Sequence, residues 1–355
     1  MLKTLGSHLR GNVVGYVAVS GTTYAATRGT TDQGEKHRMG WSNRTRQVSS
    51  AGIPRLVCGA VLAALGALLW LASPASAAVV VHPTLVKTIA TSAYTQPSPD
   101  PSGIVYRPGL DRFLIADSEV DETPLYQGFN LFTGTRTGSG FGSGTLLARG
   151  SLPVTSKEPT DLGFNPGTGT LYVSDDDKDR VSVVRAGPDG KYGTADDIVS
   201  KVSTAAFGST DPEGVAYDSA TGHLFVSDGA GIEIYNVNPV NGVFGDGNDT
   251  VTHFDVARYG AGDAEGLGID PNRNTLLVVD PSTDAIYELS KGGVHLRTLS
   301  LSAIPTTHSV VADVTMAPTS NPNDSASVLD YWIVDRHFDN NPVPNENDGL
   351  LYEMR

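Results

Sequence analysis

The carboxylates that could carry chemistry in this chain recur in a frame. Five stretches align: DPSGIVYRPGLDRFLIAD ending at Asp117, EPTDLGFNPGTGTLYVSD ending at Asp175, DPEGVAYDSATGHLFVSD ending at Asp228, DAEGLGIDPNRNTLLVVD ending at Asp280, and a divergent DVTMAPTSNPNDSASVLDYWIVD ending at Asp335. Each holds two short apolar runs around a turn, so the start of the first run lies beside the end of the second in a hairpin. That pairing puts the strand-end Asp117, Asp175, Asp228, Asp280 and Asp335 on one face with an inner set, Asp161, Glu213, Glu265 and Asp313. Carboxylates gathered in this way either hold their protons more tightly or recruit a cation, and an oxygen-only donor set suits Ca²⁺ or Mg²⁺ rather than zinc. We expect Ca²⁺ on the inner four, with Glu213 and Glu265 also acting catalytically. The strand-end five recur in every copy, as acceptors of turn N–H groups would. The inner four vary between copies, as a single site on the axis of a repeat would.

A second acidic feature sits in two hairpins, Pro188 to Asp197 and Val240 to Asp249, which share the pattern Asp/Asn-Gly-x-aromatic-Gly-x-x-Asp/Asn-Asp. Oxygens held close together by glycine turns suit a small Ca²⁺ loop, which makes Asp189, Asp196, Asp197, Asp246 and Asp249 candidate ligands; plain turn-making is the competing reading. Strand alternation places these loops on the opposite face from the inner carboxylates, so an ion there would be stabilising. Among the histidines, His308 precedes the fifth inner strand and is a candidate general base, while His337 follows Asp335. The chain has no G-x-S-x-G elbow, no phosphate-cradling G-x-x-x-x-G-K, no H-E-x-x-H and no C-x-x-C.

The elements that must position these residues follow from the spacing. Asp100, Glu158, Asp211 and Asp263 open successive copies 58, 53 and 52 residues apart, a period that belongs to a propeller or a similar array. In the third copy the predicted strands are Gly214 to Tyr217, His223 to Ser227, Gly231 to Val237 and Thr250 to Val256; four antiparallel strands make one blade. Val105, Gly163, Ala216, Gly268 and Thr315 occupy one position of the first strand, and small side chains there fit an innermost strand crowding a channel. The last copy ends after a third strand, Leu350 to Met354, so Thr84 to Thr91 is expected to close that blade and remove an exposed edge. The fold expected is all-β, a propeller of five four-stranded blades, with six blades as the alternative.

With DPEG at 211 to 214, DAEG at 263 to 266 and V-S-D strand ends, the chain resembles the calcium-dependent gluconolactonase/regucalcin-like propellers and their phytase-like relatives. The resemblance implies that the Glu of each Glu-Gly pair, here Glu213 and Glu265, supplies a carboxylate to a divalent cation at the channel mouth, with a lactone or ester hydrolysed beside it. Members of that group usually have six blades. Two functions stay open: a Ca²⁺-dependent hydrolase of a lactone, ester or phosphoester, and a non-catalytic propeller that binds carbohydrate or protein with structural calcium.

Composition narrows the setting. The 355 residues include 40 Gly and 21 Pro with 18% charged residues, which disfavours long helices. Arg44, Arg46 and Arg55 precede an apolar run, Leu56 to Ala72, and a small-residue exit ends at Ala77; together these describe a secretory signal peptide, with Met39 a plausible true start. Residues 1–77 are read as extension and signal, and 78–355 as one propeller domain without cysteine. That domain carries 17 basic against 37 acidic residues, a net charge of −20. Nucleic acid is excluded as a partner and cation binding favoured. The expectation is a secreted monomer, without a membrane span after cleavage, that takes a small molecule or carbohydrate at the channel mouth. Amino-terminal sequencing of the exported protein is expected to begin at Ala78; a start upstream of Leu56 would overturn the signal reading.

Overall fold

The computed structural model describes residues 78–146, 156, 158–305, 310–337 and 345–355. Two compact units divide the chain at residues 72 and 73, and every described residue belongs to the second. The apolar run 56–72 and His308 lie outside the described residues. Among those residues, no helix is long and apolar enough to cross a membrane.

Five sheets form, one per copy. Blade one is Pro101–Arg107, Arg112–Asp117, Leu131–Gly134 and Gly140–Gly144. Blade two is Leu162–Asn165, Thr170–Asp175, Arg180–Arg185 and Ile198–Ser203. Blade three is Pro212–Asp218, His223–Asp228, Glu233–Asn238 and Thr250–Asp255, its third strand delayed to Glu233 because Ile232 takes a left-handed φ of 52°. Blade four is Leu267–Asp270, Thr275–Asp280, Ala285–Leu289 and His295–Ser300. Blade five takes Val311–Pro318, Leu329–Asp335 and Leu350–Met354 from the carboxyl-terminal end and Leu85–Ala90 from the amino-terminal end. Thr84 and Arg355 exchange backbone hydrogen bonds of 2.7 and 3.0 Å, which ties the two ends together. The ring therefore closes with five blades, as the repeat spacing predicts.

One strand escapes the repeat. Val79–Val81 runs parallel to His295–Ser300 and covers the outer edge of blade four, where unpaired backbone groups would otherwise invite another chain. No copy of the repeat contains its equivalent, so periodicity does not reveal it.

The blades pack face to face, and a buried apolar cluster fills each of the five gaps. Second strands such as Thr170–Asp175 are buried along their whole length because both faces meet a neighbouring sheet. Outer strands such as Leu85–Ala90 return to alternating exposure.

The first strands converge on the axis with one edge unpaired, and two acids occupy that edge. Asp161 Oδ2 accepts from Val215 N at 2.7 Å and Leu267 N at 3.1 Å, and its Oδ1 accepts from Leu162 N. Asp313 accepts from Ile104 N at 2.7 Å and Val314 N at 2.6 Å. The five N–H groups come one from each blade, at equivalent positions of the five inner strands. The two carboxyls are fully buried and hydrogen-bonded to one another. Burial raises both pKa values, that of Asp161 to about 6 and that of Asp313 well above the ordinary range, with the Asp161 charge adding to the latter. The proton of the pair is thus held more tightly on Asp313, which donates it to Asp161.

This junction requires glycine on the other three blades. The positions equivalent to Asp161 and Asp313 are Gly103, Gly214 and Gly266. A Cβ on Gly103 would stand 2.6 Å from Asp161 Cα, and one on Gly266 would stand 2.5 Å from Asp313 Cα. Asp161→Ala strips three buried N–H groups of their acceptor and is expected to cost about 3–5 kcal/mol. Gly266→Ala forces the axis apart and is expected to cost about 1–3 kcal/mol. Urea denaturation of the two variants checks both; wild-type stability in Asp161→Ala would mean that the junction is incidental.

Candidate functional site

Strand pairing places the carboxylates as the hairpin argument requires. Pro101 pairs with Asp117, Pro212 with Asp228 and Val311 with Asp335, so inner-strand starts and second-strand ends share a face. Register shifts follow each of these pairs, and such bulges re-aim the side chains between them. The four inner acids consequently separate by depth. Asp161 and Asp313 sit one residue further along their strands than Glu213 and Glu265, and their oxygens are committed to backbone N–H groups. Only Glu213 and Glu265 remain at the mouth.

Strand-end acids do scaffold work. Asp117 is fully buried and accepts from Ser98 Oγ at 2.7 Å, Asp100 N at 3.0 Å and Val120 N at 2.8 Å. Asp228 accepts from Thr210 N, Asp280 from Gly262 N and Asp335 from Val310 N, which draws each incoming loop onto the face. Asp175 pairs with Arg180 at 3.1 Å. The serine of the V-S-D ends links blades: Ser174 Oγ donates to Glu213 O at 2.7 Å and Ser227 Oγ to Glu265 O at 2.5 Å. These bonds hold the backbone of each mouth glutamate.

Around Glu213 the structure assembles residues that the repeat alone does not bring together. Asp176, Asp211 and Glu213 each present a carboxylate oxygen within 4.8 Å of the other two, the one set of three acidic or imidazole ligands so arranged among the described residues. Asp211 opens its copy as Asp100 and Asp263 open theirs, whereas Asp176 follows a strand-end Asp at a position that holds Ser118, Gly229, Pro281 and Arg336 in the other copies. Asp176 Oδ1 is buried without a hydrogen-bond partner. Gly229 leaves the space beside the set open, since a Cβ there would lie 3.0 Å from Glu213 Cγ and 3.1 Å from Asp211 Oδ2. Ala230 N donates to Asp211 Oδ2 at 2.8 Å and orients it.

Electrostatics at the mouth are those of crowded anions. Burial first, then the fields of Glu265, Asp176 and Asp211, push Glu213 up to about 9. Burial also raises Asp176, Asp211, Asp263 and Glu265, each with a carboxylate neighbour adding to the rise. Arg336 supplies the compensating charge: its Nη2 lies 3.1 Å from Glu265 Oε2, and its field opposes the rise of Glu213, Asp263 and Glu265. Arg336 Nε is buried without a partner. In the repeat Arg336 holds the position of Asp176, directly after the strand-end Asp, and is the one cation there.

The hairpin acids make turns, and one oxygen of each loop's last acid, Asp197 Oδ1 and Asp249 Oδ1, is buried without a hydrogen-bond partner. Asp197 accepts from Gly193 N at 2.7 Å and Asp249 from Gly245 N at 2.7 Å, the same bond in both loops. Asp189 accepts from Lys191 N, Asp196 from Asp189 N and Asp246 from Asn248 N. Hydrogen bonds hold Asp196 and Asp246 below the usual carboxylate range. His337 bonds Asp348 at 2.8 Å through Nδ1.

The proton on Glu213 has a consequence for stability. Its folded pKa, about 9, lies above the ordinary 4.5, so the folded state favours the neutral form. That contribution is complete below pH 4.5 and is lost as pH rises toward 9. In chelator, the melting temperature is expected to fall between pH 5 and 9, and Glu213→Gln to flatten the fall. Equal slopes in the two proteins would remove Glu213 as the cause.

No family model matches the chain, and no curated protein matches it. Similar solved structures include a streptogramin B lyase at 11% identity, covering 76% of this chain and 87% of that one with a TM-score of 0.42. The virginiamycin B lyase of Staphylococcus aureus is 12% identical over 70% of this chain, with a TM-score of 0.38, and the match spans 66% of that enzyme's length. A nidogen/laminin complex contains a chain 16% identical, covering 70% of this chain and 79% of that one with a TM-score of 0.40. Likenesses this distant carry no argument about chemistry. The ring of five sheets itself shows the architecture: a five-bladed β-propeller with the amino-terminal segment Leu85–Ala90 in the last blade.

Proposed function

We propose that this protein is a secreted calcium-binding propeller whose acidic face is a metal-dependent hydrolytic site for a lactone, ester or phosphoester. The observation that carries the reading is the convergence of Asp176, Asp211 and Glu213 around one point, with Asp176 Oδ1 lacking any other partner. An all-carboxylate set fits a hard cation, and the raised pKa values mark charges that a cation would relieve. Calcium held there would polarise a substrate oxygen and acidify a water. Glu265, held by Arg336 and raised above the usual carboxylate range, would accept the proton of an attacking water. Arg336, one-fifth exposed beside Glu265, would offer its guanidinium charge to the oxyanion that develops on the substrate.

A second reading has its own support. The Asp161–Asp313 junction closes the channel directly beneath the mouth, as suits a propeller that binds carbohydrate or protein on its face with calcium only stiffening the loops.

Calcium titration by calorimetry, with an ester, lactone and phosphoester panel, separates the two. Asp176→Asn and Asp211→Asn are each expected to weaken Ca²⁺ at least about tenfold, or about 1.4 kcal/mol. Calcium is expected to stabilise the protein more at pH 9 than at pH 5, where protons compete for Glu213. Turnover lost on chelation and in Arg336→Met supports hydrolysis. Stabilisation by calcium without turnover favours the binding protein, and no calcium binding rejects both.

A further inference from the structure

Below the junction the channel reopens as a cavity of about 720 Å³, within the size range of small-molecule sites. Its wall is the layer of small residues Val105, Gly163, Ala216, Gly268 and Thr315, one from each inner strand. Aromatic and thioether groups, Tyr106, Phe164, Tyr217 and Met316, continue it outward. The rim carries Pro108, Pro166, Pro271 and Pro318, one from each of four blades, completed by Ser219 and Ala220 of the third. Proline has no N–H and a fixed φ, so this rim is stiff and poor in donors.

The floor is equally short of polar groups. The innermost lining residues, Ile104, Leu162, Val215, Leu267 and Val314, are those whose N–H groups bond Asp161 and Asp313. The junction therefore consumes the donors that would otherwise hydrate the closed end. Among the described residues, no lysine or arginine lines the cavity. Its one carboxylate, Asp218, is paired with Lys291 at 2.7 Å. In the wall the Thr315 hydroxyl accepts from Tyr106 N at 3.4 Å and the Tyr106 hydroxyl donates to Asp111; Ser219 and Asn274 stand towards the outer end, where Asn274 Oδ1 accepts from Lys291.

We infer that this cavity is a binding site, on the face opposite the acidic mouth, for a neutral and mainly apolar small molecule with one hydrogen-bonding end. The apolar body enters between the inner strands as far as the junction, and the polar end stays at the rim with Ser219 and Asn274. An anionic amphiphile finds no counter-charge among the lining residues and meets a domain with a net charge of −20.

The test uses the full-length chain and the neutral fluorophore 1-N-phenylnaphthylamine. One saturable site per chain is expected, with dissociation on the order of 10 μM. Ala326 lies at the exposed rim, where a larger side chain obstructs entry without entering the core. Ala326→Trp is expected to weaken binding at least about tenfold at unchanged melting temperature. Ala216→Leu, which narrows the wall, is expected to do the same where it folds. 1-Dodecanol is expected to displace the fluorophore and dodecanoate at equal concentration to leave it bound. Absence of saturable binding, or equal binding in Ala326→Trp, overturns the site; displacement by dodecanoate as effective as by dodecanol overturns the neutral ligand class.

Discussion

Five strand edges meet at the axis of this molecule, and a buried pair of acids reconciles them. An inner strand of a propeller has a neighbour on one side only, so its free N–H groups face the channel. A buried N–H without an acceptor costs about 1–3 kcal/mol, and here one from each blade is accepted by Asp161 or Asp313. The shared proton removes the repulsion that two adjacent buried carboxylates would suffer. Two acids and three glycines at five equivalent positions form one device, since side chains on all five would not fit.

That device divides the channel into two unlike halves. On one side lie Asp176, Asp211, Glu213, Asp263 and Glu265 with Arg336 beside them, an environment that raises the pKa of each of these acids. On the other side lies an apolar funnel whose floor has been stripped of donors. The two halves are joined only through the stiffness of the ring, and that stiffness resides in five interblade clusters and in the serines that bond across blades.

The repeat made most of the architecture legible. Blade number, strand order and closure by Leu85–Ala90 follow from spacing and from the missing fourth strand of the last copy, because each blade is a local hairpin array whose pairing is short in sequence. Val79–Val81 was not legible, since it adds a fifth, parallel strand beside His295–Ser300 in a blade the repeat already completes, and no gap in the repeat asks for it. At the site, Glu213 and Glu265 were legible as departures from the repeat. Asp176 and Arg336 also depart from the repeat, but their meeting with these glutamates was not legible, because proximity across blades depends on where bulges aim side chains and on how loops fold inward.

Sequence by itself determined the fold, the face on which acids gather and the residues that break the repeat's symmetry, because period-2 alternation and turn residues act over a few positions. Only the tertiary structure decided that Asp161 and Asp313 knit the axis while Glu213 meets Asp176 and Asp211 at the mouth. One residue of register separates these fates, and a β-bulge, which alternation cannot register, sets the direction of the side chains.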